Sequence, residues 1–476
     1  MNTEIKPSAG LKAAILSLSL LTIMAAAAVS PALAKISQAF PDVSKTVIKL
    51  TLTLPALLII PFSLFSGWLV SRWTPRKVLI TGLVVFCVGG LGGAFAMTMK
   101  QLLFFRALLG VGVGLIMPLS TSLIADFFEG DARTKMMGLS GSVSHLGGVI
   151  FLSLAGWLAC FSWRHAFSVY GLAILSLILV LFFLPEWERK SAKKEGAFKV
   201  AGGVWYCALL GALMMIAFYA VPTNLALFIE NEEALFSSAV PLFETREQLV
   251  ESLKTGIVPE STKEILKKND LELVGIATIQ EEEPGKRWLL KDGTHTYVVK
   301  RTKDSLVVAR ERLGRPAVAG FVLSSMTLAG VVSGIVLANL MRLFSRFFPA
   351  ITIATMGSGF FLLATAHVMS MVFGGVVLIG LASGFMMPLL LLRVSKIVTP
   401  ATRAFAMAVA SAGVYLGQFV SPIVMQACGL HMGKDPFRSQ FMTLAVALGA
   451  ATVLGVVIAM FRKPGGVEGT EQVRIH

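Results

Sequence analysis

Charge is what this chain has least of. Asp, Glu, Lys and Arg make up only 14% of its 476 residues, where a water-soluble domain carries about 25%. Too little polar surface remains to cover a globule of that length in water, so lipid is the expected solvent for much of it. Carboxylates are scarcer still, and none falls in the middle of a long apolar run. Without such a buried counter-charge the chain is poorly suited to organic cations, and neutral, zwitterionic or anionic solutes are expected instead. Cysteine and histidine number four and six. Cys87, Cys160, Cys207 and Cys428 stand singly in apolar segments, and no His or Cys pair has ligand spacing, so neither a disulfide framework nor a metal site is expected. No Gly-Lys phosphate-binding signature and no catalytic constellation occur, so an ATPase, an enzyme and a cofactor are not expected.

What fills the chain is apolar sequence, 55% of residues, with a mean hydropathy of +0.77. Crossing the hydrocarbon core takes roughly 20 apolar helical residues, and twelve such runs are present. They lie near 11–34, 46–69, 77–98, 102–126, 135–159, 165–184, 203–228, 316–340, 348–369, 372–394, 403–427 and 438–461. The first has the basic start and "ALA" end of a signal peptide, but so many comparable runs follow that an uncleaved first span is the better expectation. The net charge of +15 does not point to nucleic acid, because the basic residues sit in short gaps between runs. Arg72, Arg76, Lys77, Arg133, Lys135, Arg189, Lys190, Arg342, Arg393, Arg403 and Arg462 all fall in gaps on one side. That side becomes the cytoplasm by the positive-inside effect. Both termini are then cytoplasmic and the chain belongs in the plasma (inner) membrane. Lys35, Lys45 and Lys49, assigned to the first outer loop, run against the trend.

The chain repeats itself. "GLIMPL" (Gly114–Leu119) is echoed by "GFMMPL" (Gly384–Leu389), and the alignment continues without a gap through Arg133 and Arg403 to Gly147 and Gly417. A shared spacing over such a stretch marks a duplicated unit. It joins spans 4 and 5 to spans 10 and 11, so two six-span halves, 1–184 and 203–462, flank a basic linker at 185–202, with a tail at 463–476. Related halves around a central cavity are a transporter architecture. Proline recurs inside the spans, at Pro31, Pro55, Pro61, Pro118, Pro222, Pro388 and Pro422. No filter loop or charge ring suggests a channel.

Three short stretches carry a family likeness. "GWLVSRWTPRKVLITG" (Gly67–Gly82) resembles the signature between the second and third helices of the major facilitator superfamily, with Gly67, Leu69, Arg72, Arg76 and Lys77 in register. Ser71 stands where the signature has aspartate, and Thr74-Pro75 at a glycine position. "RALLGVGVG" (Arg106–Gly114) resembles the family's fourth-helix motif, and "SWRHAF" (Ser162–Phe167) the segment before its sixth helix. The resemblance implies an all-α membrane protein, a twelve-helix bundle built as a six-plus-six pseudo-repeat. It looks most like drug and metabolite exporters, which usually exchange substrate for protons. The glycine-proline pair of their fifth-helix motif is absent from "GLSGSVSHLGG".

Candidate site residues follow. Asp126, at the inner end of span 4, can pair with an arginine of the 72–77 loop as a cytoplasmic latch, together with Gly67, Lys77, Arg133 and Arg403. Alternatively these cations rest on anionic headgroups. Arg106 either snorkels to the interface or faces a cavity. His145 lies mid-span with Gly141 and Gly148 on one face, and its repeat mate Tyr415 shares a face with Ser411 and Gln418. Histidine titrates near physiological pH and is a candidate proton carrier, with Asp42, Asp126 and Glu230 as other options. Tyr219, Thr223 and Asn224 either join the cavity or repair the break at Pro222.

Residues 231–314 interrupt the rhythm and hold 15 of the 27 acidic residues. "ETREQLVESLKTG" and "STKEILKKN" read as amphipathic helices, and four segments between 271 and 313 as strands. A small α+β inserted soluble domain on the extracytoplasmic side is expected, its role open. For the whole chain, the readings are proton-coupled export of a small molecule, uptake or exchange of an anionic or zwitterionic nutrient, and a membrane sensor that moves nothing.

Overall fold

The computed structural model describes residues 8–27, 29–186, 202–231, 240–241, 278–283, 287–291, 296–301, 306–310, 315–344, 347–398, 403–429 and 436–461. Helices dominate: α1 (Ala9–Ala27), α2 (Leu33–Ala39), α3 (Lys45–Val70), α4 (Pro75–Gly92), α5 (Met99–Phe127), α6 (Gly130–Phe161), α7 (Leu172–Phe183) and α8 (Gly202–Asn231). After the sheet strands come α9 (Arg315–Phe344), α10 (Phe348–Ala364), α11 (Met369–Ile397), α12 (Arg403–Gly429) and α13 (Pro436–Phe461). Every one of the twelve predicted runs carries helix. Among the described residues, ten segments are long and apolar enough to cross a membrane, and two shorter apolar helices lie at Ala9–Leu21 and Phe348–Ala364.

Two predicted spans are less regular than their hydropathy implies. Span 1 is not one rod: α1 ends at Ala27, a 3-10 turn holds Ser30–Ala32, and α2 follows. Pro31 at that turn has no N–H to offer the preceding helix. Span 6 opens as a 3-10 stretch, His165–Gly171, before α7. The duplicated motif reappears in three dimensions, since Pro118 lies inside α5 and Pro388 inside α11.

Two compact units emerge. The first comprises Met1–Arg189, Ala220–Ser324 and Thr365–Phe373; the second comprises Lys190–Tyr219, Ser325–Ala364 and Gly374–His476. They depart from the expected six-plus-six division, because the second half of α8 and the start of α9 group with the N-terminal helices. In the first unit α5 packs against α3 and α4. Its glycines permit that approach: a Cβ on Gly110 would sit 2.5 Å from the Pro55 carbonyl oxygen, and one on Gly112 2.6 Å from the Phe86 nitrogen. Small residues that let backbones touch are how helices associate without a hydrophobic driving force. In the second unit Val204, Cys207, Leu390, Val394, Ala406, Ala410 and Val414 form one buried cluster joining α8, α11 and α12. Large apolar side chains face outward, among them Phe182, Phe161 and Phe461, as expected of surfaces that meet lipid.

Between α8 and α9, five strands form one antiparallel sheet in the order β1-β5-β4-β3-β2. They are β1 (Val240–Pro241), β2 (Thr278–Glu283), β3 (Arg287–Lys291), β4 (Thr296–Arg301) and β5 (Leu306–Arg310). Strand pairing at 278–310 follows the strand-like segments of the sequence. The two amphipathic helices expected at 244–256 and 261–269 lie outside the described residues, so the α+β character of this segment stays an expectation.

Candidate functional site

The first polar centre is built on α5. Thr98 and Gln101 form a capping box that starts this helix, and Arg106 lies two turns further in. It is fully buried and does not snorkel. Its Nε donates to the Thr51 carbonyl on α3 (2.8 Å), one terminal nitrogen to the Tyr170 hydroxyl (2.8 Å), and the other to the Ala25 carbonyl on α1 (3.1 Å). The guanidinium also sits 5.3 Å from the Tyr170 ring centre and 5.9 Å from that of Phe167. A planar fork with donors in fixed directions can satisfy several partners at once, which an ammonium cannot. Arg106 therefore braces α1, α3 and the 3-10 stretch before α7 against α5.

The second centre surrounds Pro222 in α8. Thr223 and Asn224 are fully buried. The Asn224 side chain donates to the Ala220 carbonyl at 2.7 Å and to the Thr223 hydroxyl at 3.3 Å, and Thr223 donates to the same carbonyl at 3.4 Å. These bonds satisfy backbone next to the proline. The Pro222 carbonyl itself accepts from Ser30 of the turn after α1. Asn224 has a second role: its Oδ1 accepts from Lys49 Nζ at 2.5 Å. Here the sequence expectation is corrected. Lys49 is not in an outer loop but one turn inside α3, only 3% exposed. Further out, Gln38 donates to Glu230 at 3.1 Å. Arg315 donates to the Glu230 carbonyl, and the Ser153 and Ser324 hydroxyls meet at 2.8 Å. There α6 and α9 touch backbone to backbone, since a Cβ on Gly320 would fall 2.5 Å from the Leu152 carbonyl oxygen.

The third centre lies within the second unit, where α8 crosses α12. Tyr219 is buried, hydrogen-bonds the Gln418 side chain, and neighbours Tyr415. Gln418 is buried, whereas Tyr415 and Ser411 are half-buried along the same helix. Gly413 and Gly417 bring α12 against α8, since a Cβ on Gly417 would lie 2.2 Å from the Ala212 carbonyl oxygen. The Ser421 hydroxyl donates to the Ile216 carbonyl at 2.7 Å. Tyr219, Tyr415 and Gln418 are thus brought together. Their repeat counterpart, His145, is exposed on α6 in the first unit.

The gating candidates line the end of α3 and its neighbours. Gly67 is exposed, with open space where a Cβ would point. Arg72 is exposed over the Trp68 ring, 4.5 Å from its centre. Arg76 reaches the Leu181 carbonyl of α7 at 2.7 Å. Arg72, Trp73, Thr74, Lys77, Ile80 and Thr81 line a cleft of about 480 Å³. Asp126 and Arg133 are exposed on either side of the α5–α6 turn, which Gly130 makes with a φ of +52°. Arg403 opens α12. Among the described residues no cluster of His, Cys, Asp and Glu could hold a metal ion.

A family profile described as "Major Facilitator Superfamily" matches residues 15–245 and 305–474. The chain belongs to the major facilitator superfamily. That membership makes it a multi-pass membrane protein of a transporter family rather than an enzyme. Among similar proteins are the arabinose-proton symporter of Escherichia coli (31% identical over 28% of each chain) and the multidrug efflux pump SdrM of Staphylococcus aureus (29% over 43% of this chain and 46% of that one). The 4-hydroxybenzoate transporter PcaK of Acinetobacter baylyi is 31% identical over 27% of this chain and 28% of its own length. This chain thus spans less than half the length of the curated relatives it matches. Solved structures with the same superfamily fold include a D-xylose-proton symporter (TM-score 0.60, 16% identity, 95% and 96% of the two chains). A nucleoside transporter, NupG, gives 0.62 at 12% identity over 95% and 100%.

Proposed function

We propose that this superfamily member is a secondary active transporter that moves a small molecule by alternating access, exchanging it for protons in the direction of export. One observation carries the reading. Buried polar side chains lie on both sides of Pro222 in α8, with Tyr219 before it and Thr223 and Asn224 after it. Hydrophobic segments interrupted by Gly or Pro point to binding sites in many transporters, and α8 carries Pro222 within its length. His145, Tyr219, Asn224, Ser411, Tyr415 and Gln418 are the proposed cavity residues, with Arg106 holding the helices that shape its wall. Gly67, Arg72, Arg76, Lys77, Asp126, Arg133 and Arg403 are the proposed cytoplasmic gate. The bonds that hold the second half of α8 and the start of α9 to α3 and α6 are the proposed opposite gate.

Uptake or exchange of an anionic or zwitterionic nutrient is the second reading, favoured by buried cations and by the likeness to a 4-hydroxybenzoate transporter. Transport into proteoliposomes under an imposed pH gradient distinguishes the two by the direction of proton-driven flux, and a sensor would move nothing. Residues 231–314 are proposed to form an accessory extracytoplasmic α+β domain. Supporting this, the family match skips 246–304. Deleting 232–312 is expected to leave transport within about twofold of the full chain; complete loss of transport in a well-folded deletion variant contradicts an accessory role.

A further inference from the structure

Three faces of α6 meet three different surroundings. Ser140, Ser144 and Gly147, spaced as i, i+4 and i+7, turn to α1. The Ser19 and Ser140 hydroxyls meet at 2.6 Å, the Ser144 hydroxyl lies 2.8 Å from the Ser19 carbonyl oxygen, and a Cβ on Gly147 would fall 2.4 Å from the Leu20 side chain. Leu139, Leu146, Ile150 and Trp157 form a second face of exposed large apolar side chains, as lipid requires. Gly138, Gly141, Ser142 and His145 form the third, at i, i+3, i+4 and i+7. All four are exposed, and open space lies where a Cβ on Gly138 or Gly141 would point. Further along the helix the same face is closed by the first turns of α9. There a Cβ on Gly156 would sit 2.6 Å from the Pro316 carbonyl oxygen, and the Ser324 hydroxyl lies 2.8 Å from the Val149 carbonyl oxygen. His145 stands one turn short of Val149, where the closed part begins.

We infer that this third face is a hydrated path. It runs from His145 along Ser142, Gly141 and Gly138 to the end of α6 at the α5–α6 turn, and α9 closes it at the other end. Two glycines, a serine and a histidine offer hydrocarbon no apolar side chain to cover, and a polar group facing lipid is left without partners that water supplies. Ionisable side chains within membrane spans face either the bundle interior or a water-filled cavity, and His145 is exposed on α6. The two glycines leave the helix backbone bare, so water has room beside it. Between Lys135 and Arg164 the chain has no other histidine and no Asp, Glu, Lys or Arg, so no second charge competes for that water along the path. In this conformation His145 therefore meets solvent from the side of the α5–α6 turn. That this access serves proton or solute movement rests on the transport reading above; the path itself does not.

The test is thiol labelling in sealed vesicles, with single cysteines placed in a chain whose four native cysteines are replaced. A charged, membrane-impermeant methanethiosulfonate is added on one side or the other, and the unreacted thiol is then measured with a permeant maleimide. Ala132→Cys, exposed in the first turn of α6, marks the side of the α5–α6 turn. Gly138→Cys, Gly141→Cys, Ser142→Cys and His145→Cys are expected to react from that same side. Leu139→Cys and Leu146→Cys, on the lipid face, are expected to react at least about tenfold more slowly, because a thiol kept in apolar surroundings forms little thiolate. Cysteines at 138, 141 and 142 that react no faster than those at 139 and 146, or that react only from the opposite side, overturn the inference. Labelling needs no transport, so the two readings fail separately: a labelled face in a protein that moves no solute supports the path and overturns the transport reading alone. Ser142→Cys exchanges one oxygen for sulfur and decides the test should a glycine variant fail to fold.

Discussion

Arg106 shows how a charge survives where lipid should forbid it. Each nitrogen meets an oxygen within hydrogen-bonding distance, and two aromatic rings cover the guanidinium faces. Removing the shared donor leaves neutral buried groups unsatisfied, at about 1–3 kcal/mol each. Arg106→Ala is therefore expected to leave the Thr51 and Ala25 carbonyls and the Tyr170 hydroxyl without their donor and to lower the melting temperature in detergent by several degrees. Arg106→Lys is expected to recover only part of it, since an ammonium cannot reach three divergent partners. Equal stability of Arg106→Ala and the parent chain contradicts the bracing role. The sequence marked Arg106 as an intramembrane charge but not its partners, which come from positions 55, 64 and 81 residues away. Lys49 escaped for a related reason. Charge patterning assigns a lysine near the end of an apolar run to a loop, and nothing local reveals an asparagine 175 positions distant.

At the scale of helices, packing is decided by what lets backbones approach. The apolar runs were plain from hydropathy because twenty residues of lipid-facing sequence leave little ambiguity. The break between α1 and α2 was not, because hydropathy averages over a proline turn. The glycine contacts between α8 and α12 follow the same logic: Gly417 was legible as a repeat position, but its role as a contact with Ala212 needed the fold. A direct check lies where α6 meets α9. Ser153 and Ser324 are 2.8 Å apart, within reach of a disulfide after substitution. In a background with the four native cysteines replaced, the Ser153→Cys, Ser324→Cys pair is expected to block transport when oxidised and release it on reduction. Ser19 and Ser140, 2.6 Å apart within the N-terminal helices, provide the control, and the same cross-link there is expected to leave transport unaffected. Transport that persists with the 153–324 pair fully oxidised contradicts a gate at that contact.

For the whole molecule, two facts bound the account. The chain folds as a major facilitator superfamily member, and Thr223 and Asn224 are buried beside Pro222, which lies inside the continuous helix α8. The duplication and the helical runs made the fold legible, because both follow from spacing and composition. The polar centres were less so, because Lys49 on α3 meets Asn224 on α8, and Tyr219 on α8 meets Gln418 on α12, only through tertiary contacts. The family match across both ends of the chain, interrupted at 246–304, fits a transport body carrying an added segment. The most direct measurement is transport by purified protein in sealed liposomes with a pH step imposed across the membrane. The account predicts solute flux that reverses direction when the step is reversed; a flux indifferent to the step, or no flux with folded protein, contradicts it.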